Sequence, residues 1–373
     1  PRVKMAPRVK MAPRVKMAKH KGKPIHGWLV VDKAQGVTSS RVVAQVKKLT
    51  GAAKVGHAGT LDPLATGILP IALGEATKTV SYVMDGFKEY CFTMVWGEAR
   101  DSDDAEGKVI GTSPVRPEKS DIIEGLKGFV GEIEQIPPAF SAIKVDGRRA
   151  YDLARSDQEV ALPPRRVHVE NFELLEIPDC DHATFRVSCG KGTYIRSLAR
   201  DLAQHLGTLG HVSVLRRTRV GPFCESDAIS LDSPELLGHI GAFSGHLLPV
   251  LTVLDDIPAL ALTEDQARCL KNGQAVPLFK VKVRSASCGP ESPSILCEDL
   301  SPDLLEKLGG GHTEAYALCG DRLVALVRCG EGRTLPFRVL TFSCARQGNR
   351  MMDSAAQLQQ VPIGAFAMQH GAS

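Results

Sequence analysis

The sequence has no continuous apolar run near the 18 residues that a membrane-spanning helix needs, so we expect no membrane segment. No apolar stretch follows the basic residues of the N-terminus, which argues against a secretory signal. None of the ten cysteines forms a C-x-x-C pair, and no histidine stands at zinc-finger spacing from a cysteine pair. We therefore expect free thiols in a cytoplasmic protein, without a disulfide framework or a metal site.

The net charge of the chain is negative once the N-terminus is set aside. Residues 1–24 carry nine Lys and Arg and no acid, and subtracting them from the net charge of +4 leaves about −5 for the remaining chain. The repeat PRVKMA fills 1–6, 7–12 and 13–18, and a proline every six residues prevents a stable helix. We expect 1–24 to be a disordered basic tail. Because the remaining chain is mildly acidic, any nucleic-acid-binding surface must be argued from local clusters of positive charge.

The apolar pattern predicts an α+β protein built on a mixed or antiparallel sheet. We expect a large domain over 25–250, a small β-rich module over 251–341 with an insertion near 284–312, and a poorly ordered tail over 342–373. Thr38 is the expected N-cap of the first helix and Gly51 closes it. Helices are predicted at 39–49, 75–84, 121–129, 194–206 and 264–272, and strands at 28–31, 68–73, 89–96, 167–177, 184–189, 212–220, 316–318, 323–327 and 337–340.

One aspartate lies in an unusually glycine-rich loop, residues 56–67 (GHAGTLDPLATG). Glycine permits positive φ and close backbone approach, and Pro63 biases Asp62 toward extended geometry. Such a loop can present one carboxylate rigidly. A plain Asp-Pro turn capped by its own carboxylate is the alternative interpretation.

This loop and the strand after it, GHAGTLDPLATGILPIALGEATK, closely resemble the catalytic motif of the TruB family of tRNA pseudouridine synthases. Other family motifs follow in the same order along the chain, although Ala34 stands where the family usually has proline. The matching segments are GWLVVDKAQGVTS (27–39), FKEY (87–90), the stretch 135–151, GKGTYIRS (190–197) and HVSVLRR (211–217).

The resemblance implies isomerisation of the T-arm uridine of tRNA, position 55, with base flipping and no cofactor or metal. It implies that Asp62 is the essential carboxylate and that Arg196 holds it ionised. It further implies that Tyr90 stacks on the uracil, that Leu215 forms an apolar wall, and that His57 helps to fill the space of the everted nucleotide. Further substrate-binding candidates are Lys33, Tyr194, Lys191, Lys144, Arg148 and Arg149.

Charge clusters suggest where RNA passes. Residues 190–219 hold six Lys and Arg against one acid, and a second basic group lies at 144–149. The acidic run 101–106 (DSDDAE) lacks calcium-loop spacing and is predicted to be a solvated hairpin turn. Segments 323–328 and 336–340 faintly resemble a PUA-like RNA-binding module.

Two alternatives to the proposed tRNA synthase stay open at the level of sequence. One is an RNA-binding or RNA-folding module without catalysis, and the other is a synthase acting on a different RNA uridine. In each case we expect a monomer whose partner is RNA.

Overall fold

The computed structural model describes residues 22–342, apart from 142, 146, 152–161, 234–242, 244, 278–281, 285–296, 299–312 and 331. For the short strands 144–145, 148–149, 282–284 and 297–298 only the backbone is described. Most of the predicted basic tail over 1–24, most of the 284–312 insertion and nearly all of the 342–373 tail therefore lie outside the described residues. None of the described helices is long and apolar enough to span a bilayer.

A ten-stranded mixed sheet forms the first part of the fold, in the order β14-β1-β3-β12-β4-β11-β10-β7, with β2 on β3 and β13 on β12. Its pairs are antiparallel except β1 with β14 and β3 with β12. The strands are β1 (Gly27–Lys33), β2 (Val55–His57), β3 (Thr66–Leu73), β4 (Lys88–Trp96), β7 (Gly131–Gln135), β10 (Arg165–Asp179), β11 (His182–Cys189), β12 (Gly210–Val220), β13 (Phe223–Cys224) and β14 (Ala228–Ile229).

A seven-stranded, mostly antiparallel sheet follows in the C-terminal part, in the order β16-β21-β20-β19-β15-β17-β18. It has its own apolar core, separate from that of the first sheet. The expected α+β class, with a mixed sheet and a β-rich C-terminal region, is confirmed. Its strands are β15 (Ala259–Ala261), β16 (Val276–Pro277), β17 (Lys282–Arg284), β18 (Cys297–Glu298), β19 (Thr313–Cys319), β20 (Arg322–Gly330) and β21 (Arg333–Val339).

Two hairpins project from the first sheet, β5 (Glu98–Arg100) with β6 (Val109–Thr112), and β8 (Lys144–Val145) with β9 (Arg148–Arg149). The helices are α1 (Ser39–Thr50), α2 (Val80–Asp85), α3 (Lys119–Leu126), α4 (Ile195–His205) and α5 (Glu264–Lys271). A 3₁₀ turn over Gly74–Lys78 replaces the first part of the helix predicted at 75–84.

Capping residues set the limits of α1, as the sequence predicts. The Thr38 hydroxyl accepts a hydrogen bond from the Arg41 backbone N–H, and Gly51 ends the helix in the left-handed conformation with φ of 68°. Val42 and Val46 bury one side of the helix in the main core, whereas the other side faces solvent. The Thr38 cap therefore fixes the start of α1, where the Ser39 hydroxyl bonds to the backbone of Leu61, the residue before Asp62.

The parallel pairing of β3 with β12 places Gly67 opposite Arg217. Gly67 has φ of +95°, and a Cβ built there would lie 2.2 Å from the Arg217 carbonyl oxygen. No side chain fits this crossing. The glycine is needed because the loop must turn into β3 directly against the neighbouring strand.

We expect Gly67→Ala to lower the free energy of unfolding by at least about 3 kcal/mol, because backbone strain and a backbone clash add. Gly36→Ala is the matched control, since Gly36 also has positive φ (+76°) but nothing within 4 Å of its Cβ position. The control should lose only about 1 kcal/mol, the strain alone. Urea unfolding measures both, and equal losses would contradict the role given to the crossing.

Candidate active site

Hydrogen bonds on both sides of Asp62 hold its loop in place. The Ser39 hydroxyl accepts from the Leu61 N–H at 2.9 Å and donates to the Leu61 carbonyl at 3.0 Å. On the other side, the Gly36 N–H donates to the Pro63 carbonyl at 2.8 Å. The residues before and after the aspartate are thus anchored to the segment that leads into α1, and the loop presents a fixed carboxylate.

Lys33 lies beneath this loop rather than on the surface. Its side chain is buried, and its ammonium donates to the carbonyls of Ala34, Val37 and Pro63 at 2.9, 2.8 and 3.3 Å. Burial lowers the pKa of Lys33 to about 8, against the opposing attraction of Asp62. The residue was expected to bind substrate, but its three bonds make it a support of the loop.

Arg217 supports the loop from the opposite side. Its guanidinium is 1% exposed and donates to the Ile68 carbonyl at 2.8 Å and to the Gly59 carbonyl at 3.1 Å. These carbonyls flank the Asp62 loop at its two ends. Since β12 is paired with β3, one buried cation ties both ends of the loop to the sheet.

Arg196, at the start of α4, makes the direct contact with the aspartate. Its Nη2 lies 2.8 Å from Asp62 Oδ2, and its Nη1 lies 3.6 Å from Asp104 Oδ2. The same guanidinium donates to the carbonyls of Ser102 and Phe140 at 2.7 and 2.9 Å. A nearly buried arginine therefore neutralises two carboxylates and fixes the orientation of one of them.

The acidic run over 101–106 forms the predicted hairpin turn, but the expectation that it is solvated is wrong. Ser102, Asp103 and Asp104 are 7%, 9% and 4% exposed. Arg196 and Arg200, one turn apart on α4, compensate the buried carboxylates: Arg200 lies 2.9 Å from Asp103. Buried acids persist when cations pair with them, and the run is therefore part of the candidate site.

Asp103 is the strained member of this turn, a non-glycine residue with φ of 59°. Burial raises its pKa to about 6, although Arg200 and Arg196 oppose the change. Between about pH 4 and 6 the unfolded chain has lost this proton while the folded protein keeps it, so this group lowers stability as pH rises.

Asp103→Asn removes that titration and suits the left-handed backbone, which asparagine tolerates. We expect the difference in unfolding free energy between the variant and the parent protein to rise, in favour of the variant, by up to about 3 kcal/mol from pH 4 to pH 7. Thermal or urea unfolding across this range measures the difference. A difference that stays constant with pH would contradict the raised pKa.

These residues surround a cavity of about 760 Å³, a size typical of ligand pockets. The Asp62 side chain is 38% exposed, whereas the Arg196 side chain behind it is 4% exposed. Since Oδ2 is held by Arg196, Oδ1 is the oxygen that remains for a substrate. The lining consists of Thr38, Ser39, Ser40, His57, Thr60, Leu61, Asp62, Pro63, Asp101, Ser102, Asp104, Glu106, Gly107, Lys108, Phe140, Ser141, Tyr151 and Arg196.

Tyr90 and Leu215 lie in the sheet beneath the loop. Tyr90 on β4 is opposite Arg217 on β12, and Leu215 is opposite Phe92. Burial raises the pKa of Tyr90, and the charges of Arg217 and Asp62 both act on its phenol. Neither residue is among those that line the cavity in the described part of the chain. Tyr90 is thus near enough to Asp62 for the charge of the aspartate to act on its phenol. Leu215 is 6% exposed and belongs to the main core.

His57 lines the cavity at the end of β2. Burial lowers its pKa and the Arg217 charge lowers it further, so the ring is neutral at physiological pH. Its buried Nδ1 has no hydrogen-bond partner within the described residues. A neutral ring suits the expected role of an RNA contact better than that of a cationic phosphate ligand.

Of the remaining substrate-binding candidates, Tyr194 and Lys191 are not among the described residues that line the cavity. Tyr194 is anchored through its backbone by the Gln135 side chain, and the Arg165 guanidinium lies 4.8 Å from its ring centroid. Lys191 is exposed and pairs with Asp85 at 2.9 Å. Lys144, Arg148 and Arg149 belong to the β8–β9 hairpin, and their side chains lie outside the description.

Most cations of the basic cluster predicted over 190–219 are buried or paired with acids. Arg196 and Arg217 are buried, and Arg200 pairs with Asp103 and Asp201. Arg216 pairs with Asp32 and Glu225, and its bonds to Asp32 raise its pKa. Acids far away in sequence neutralise most of these cations, so the linear count overstates the charge offered to RNA.

Sequence reasoning missed two features of the site. Asp104 contacts Arg196 from the acidic hairpin, and Phe140 accepts from Arg196 through its carbonyl. A signal for the first was present: four acids in 101–106 need cations, and α4 offers Arg196 and Arg200 on one face. No residue-level signal marked Phe140, because its contribution is a backbone oxygen.

Comparisons with known proteins identify the family of this chain. Residues 47–195 match the model of the TruB family pseudouridylate synthase N-terminal domain, and 196–239 match that of the tRNA pseudouridylate synthase B C-terminal domain. The chain is 51% identical to tRNA pseudouridine synthase B of Rhodospirillum rubrum, over 86% of this chain and 98% of that protein. It is 49% identical to the protein of that name from Caulobacter vibrioides, over 86% and 98%.

A crystal structure of a Cbf5-Nop10-Gar1 complex contains a similar chain, with a TM-score of 0.61 and 26% identity over 85% of this chain and 84% of that chain. At this level the structural likeness supports the fold, while the relatives near 50% identity carry the assignment. The family models together cover residues 47–239, which include most of the sequence motifs. This chain therefore belongs to the TruB family of pseudouridylate synthases.

Proposed function

We propose that this protein isomerises the T-arm uridine of tRNA, position 55, to pseudouridine, as a cytoplasmic monomer without a cofactor. The observation that carries the proposal is the pair formed by Asp62 and Arg196 at the wall of a cavity large enough for a nucleotide. The relatives named tRNA pseudouridine synthase B support tRNA as the substrate.

The reaction breaks the N1–C1′ bond of uridine, turns the uracil and joins C5 to C1′; C5 then loses its proton and N1 gains one, so no atoms are gained or lost overall. A base inside a duplex or a stacked loop is out of reach, so the uridine must be flipped into the cavity. Asp62 acts there either as a nucleophile or as a base toward the ribose, and both roles require an ionised carboxylate with one free oxygen. The Arg196 contact at Oδ2 orients the carboxylate and leaves Oδ1 for the substrate.

The other residues serve this carboxylate or the RNA. Tyr90 provides the aromatic face against the uracil once the base enters, and Leu215 packs beneath it. His57 contacts the RNA beside the flipped nucleotide. We further assign RNA binding outside the cavity to Tyr194, Lys191 and the 144–149 hairpin, and to the module over 251–341 as a PUA-like domain.

The decisive experiment incubates the purified protein with an unmodified tRNA transcript and maps pseudouridine at single-nucleotide resolution. We expect one new pseudouridine, in the T-arm. A product at another uridine would reject the T-arm assignment but keep the chemistry. Binding without any product would favour the RNA-binding or RNA-folding alternative.

A transcript with the target uridine replaced by cytidine is the matched substrate control. It keeps the tRNA fold and should bind with similar affinity, yet give no product. Pseudouridine appearing elsewhere in that transcript would show that the site selects uridines loosely.

A further inference from the structure

The exposed side of α1 is cationic and lacks acids. Between Lys33 and Leu61 the sequence contains no Asp or Glu. Arg41, Lys47 and Lys48 are exposed on α1, and Lys23 and Lys54 are exposed beside its C-terminal end, where residue 23 bridges to residue 52. These five residues are the basic α1 face. Within the described part of the chain, the side chains of these five residues form no ion pair or hydrogen bond.

Several cations elsewhere on the surface pair with acids. Arg116 pairs with Asp181, and Arg186 pairs with Glu173. The six cations over 190–219 are also largely bonded or buried, as described above. The basic α1 face therefore adds unpaired positive charge on a helix that the predicted basic clusters did not include.

Helix stability alone does not explain this arrangement. Lys47 and Lys48 are in the last turn of α1, where cations favour the helix dipole. Arg41 is in the first turn, where a cation opposes the dipole, and that turn has no acid. The placement of Arg41 is unfavourable for the isolated helix, which points to an external anion.

The position of α1 relative to the cavity indicates which anion. Thr38, Ser39 and Ser40 line the cavity, and Arg41 follows immediately. With a rise of 1.5 Å per residue, Lys48 lies about 10 Å farther along the helix on the same side as Arg41. No large apolar side chain is exposed between residues 22 and 83, so the face lacks the apolar centre of a protein–protein interface.

We propose that the basic α1 face binds the phosphate backbone of the RNA whose flipped uridine enters the cavity. The inference rests on the proposed function, because it takes RNA as the partner. The face extends from the cavity rim to Lys23 and Lys54, and each cation neutralises a phosphate and releases a counterion. It positions the RNA without reading its sequence.

The test compares K47Q/K48Q and R41Q with the parent protein in filter binding of unmodified tRNA at several KCl concentrations. We expect the double variant to raise the Kd for tRNA about 10-fold or more near 0.1 M salt. The magnitude of the slope of log affinity against log salt should fall by about 1 for each removed cation that contacts a phosphate. The single-turnover rate at saturating enzyme should stay within about twofold, because phosphate contacts position the RNA without taking part in the chemistry.

K119Q/K127Q is the control, with two exposed lysines removed at α3 and the turn that follows it; Lys127, unlike the cations of the α1 face, pairs with Glu124. It should change neither the affinity nor the slope. An unchanged salt slope in the α1 variants, or the same change in the control, would overturn the proposal. If the parent protein binds tRNA but makes no pseudouridine, the proposed function fails while the salt slopes still decide the role of the α1 face.

Discussion

Asp62→Asn is expected to abolish pseudouridine formation, with a loss of more than about 10³-fold, while tRNA affinity stays within about threefold. The amide has nearly the same shape as the carboxylate, so Leu61 and Pro63 keep their anchors and the loop keeps its form. It carries no charge and is neither a nucleophile nor a base. The measurement is single-turnover product formation together with filter binding of the same tRNA.

Glu106→Gln is the matched control for this prediction. Glu106 lines the same cavity, and burial followed by the charges of Asp104 and Asp62 raises its pKa. Its replacement should leave turnover within about fivefold, because the Glu106 side chain forms no ion pair or hydrogen bond with Asp62 or Arg196 in the described part of the chain. Equal losses in both variants, or more than a few per cent of turnover in Asp62→Asn, would remove Asp62 from its assigned role.

Arg196→Lys is expected to lower turnover by about 10²- to 10³-fold, with a much smaller change in tRNA affinity. Lysine keeps the charge, but its compact ammonium group lacks the planar, forked donors of arginine. The Arg196 guanidinium contacts Asp62, Asp104 and two backbone carbonyls at once. We also expect a loss of about 3 kcal/mol in stability, since a buried pair is broken.

Arg200→Lys, one turn later on α4, is the control. Arg200 pairs with Asp103 and Asp201 but does not contact Asp62. It should lower stability by about 1–2 kcal/mol with turnover within several-fold. An Arg196→Lys variant that loses affinity and turnover equally would make that arginine a phosphate ligand instead.

Local features of the fold were predictable because their causes are local. The Thr38 cap, the Gly51 stop and the alternation along β4 are each set by residues a few positions apart. The location of Asp62 was also predictable, since its motif is contiguous. The partner of Asp62 was identified only through family resemblance, as nothing local to Arg196 connects it to a loop more than a hundred residues earlier.

Charge was the least predictable property, because neutralisation depends on tertiary pairing. Arg216 and Asp32 are 184 positions apart and still pair. A count within a sequence window therefore assigns a positive surface to 190–219, and it misses the face of α1. The prediction that the acidic hairpin is solvated was wrong for the same reason, because the arginines that pair with it, Arg196 and Arg200, belong to α4.

The pairing of β3 with β12 also has a consequence for synthesis on the ribosome. The Asp62 loop emerges early, but Arg217, which fastens both its ends, is made about 150 residues later. Contacts of such separation form late in folding, after the intervening chain is available. In a nascent chain that has not yet exposed β12, the Asp62 loop therefore lacks the two hydrogen bonds from Arg217. The enzyme cannot bind RNA productively before the domain is nearly complete.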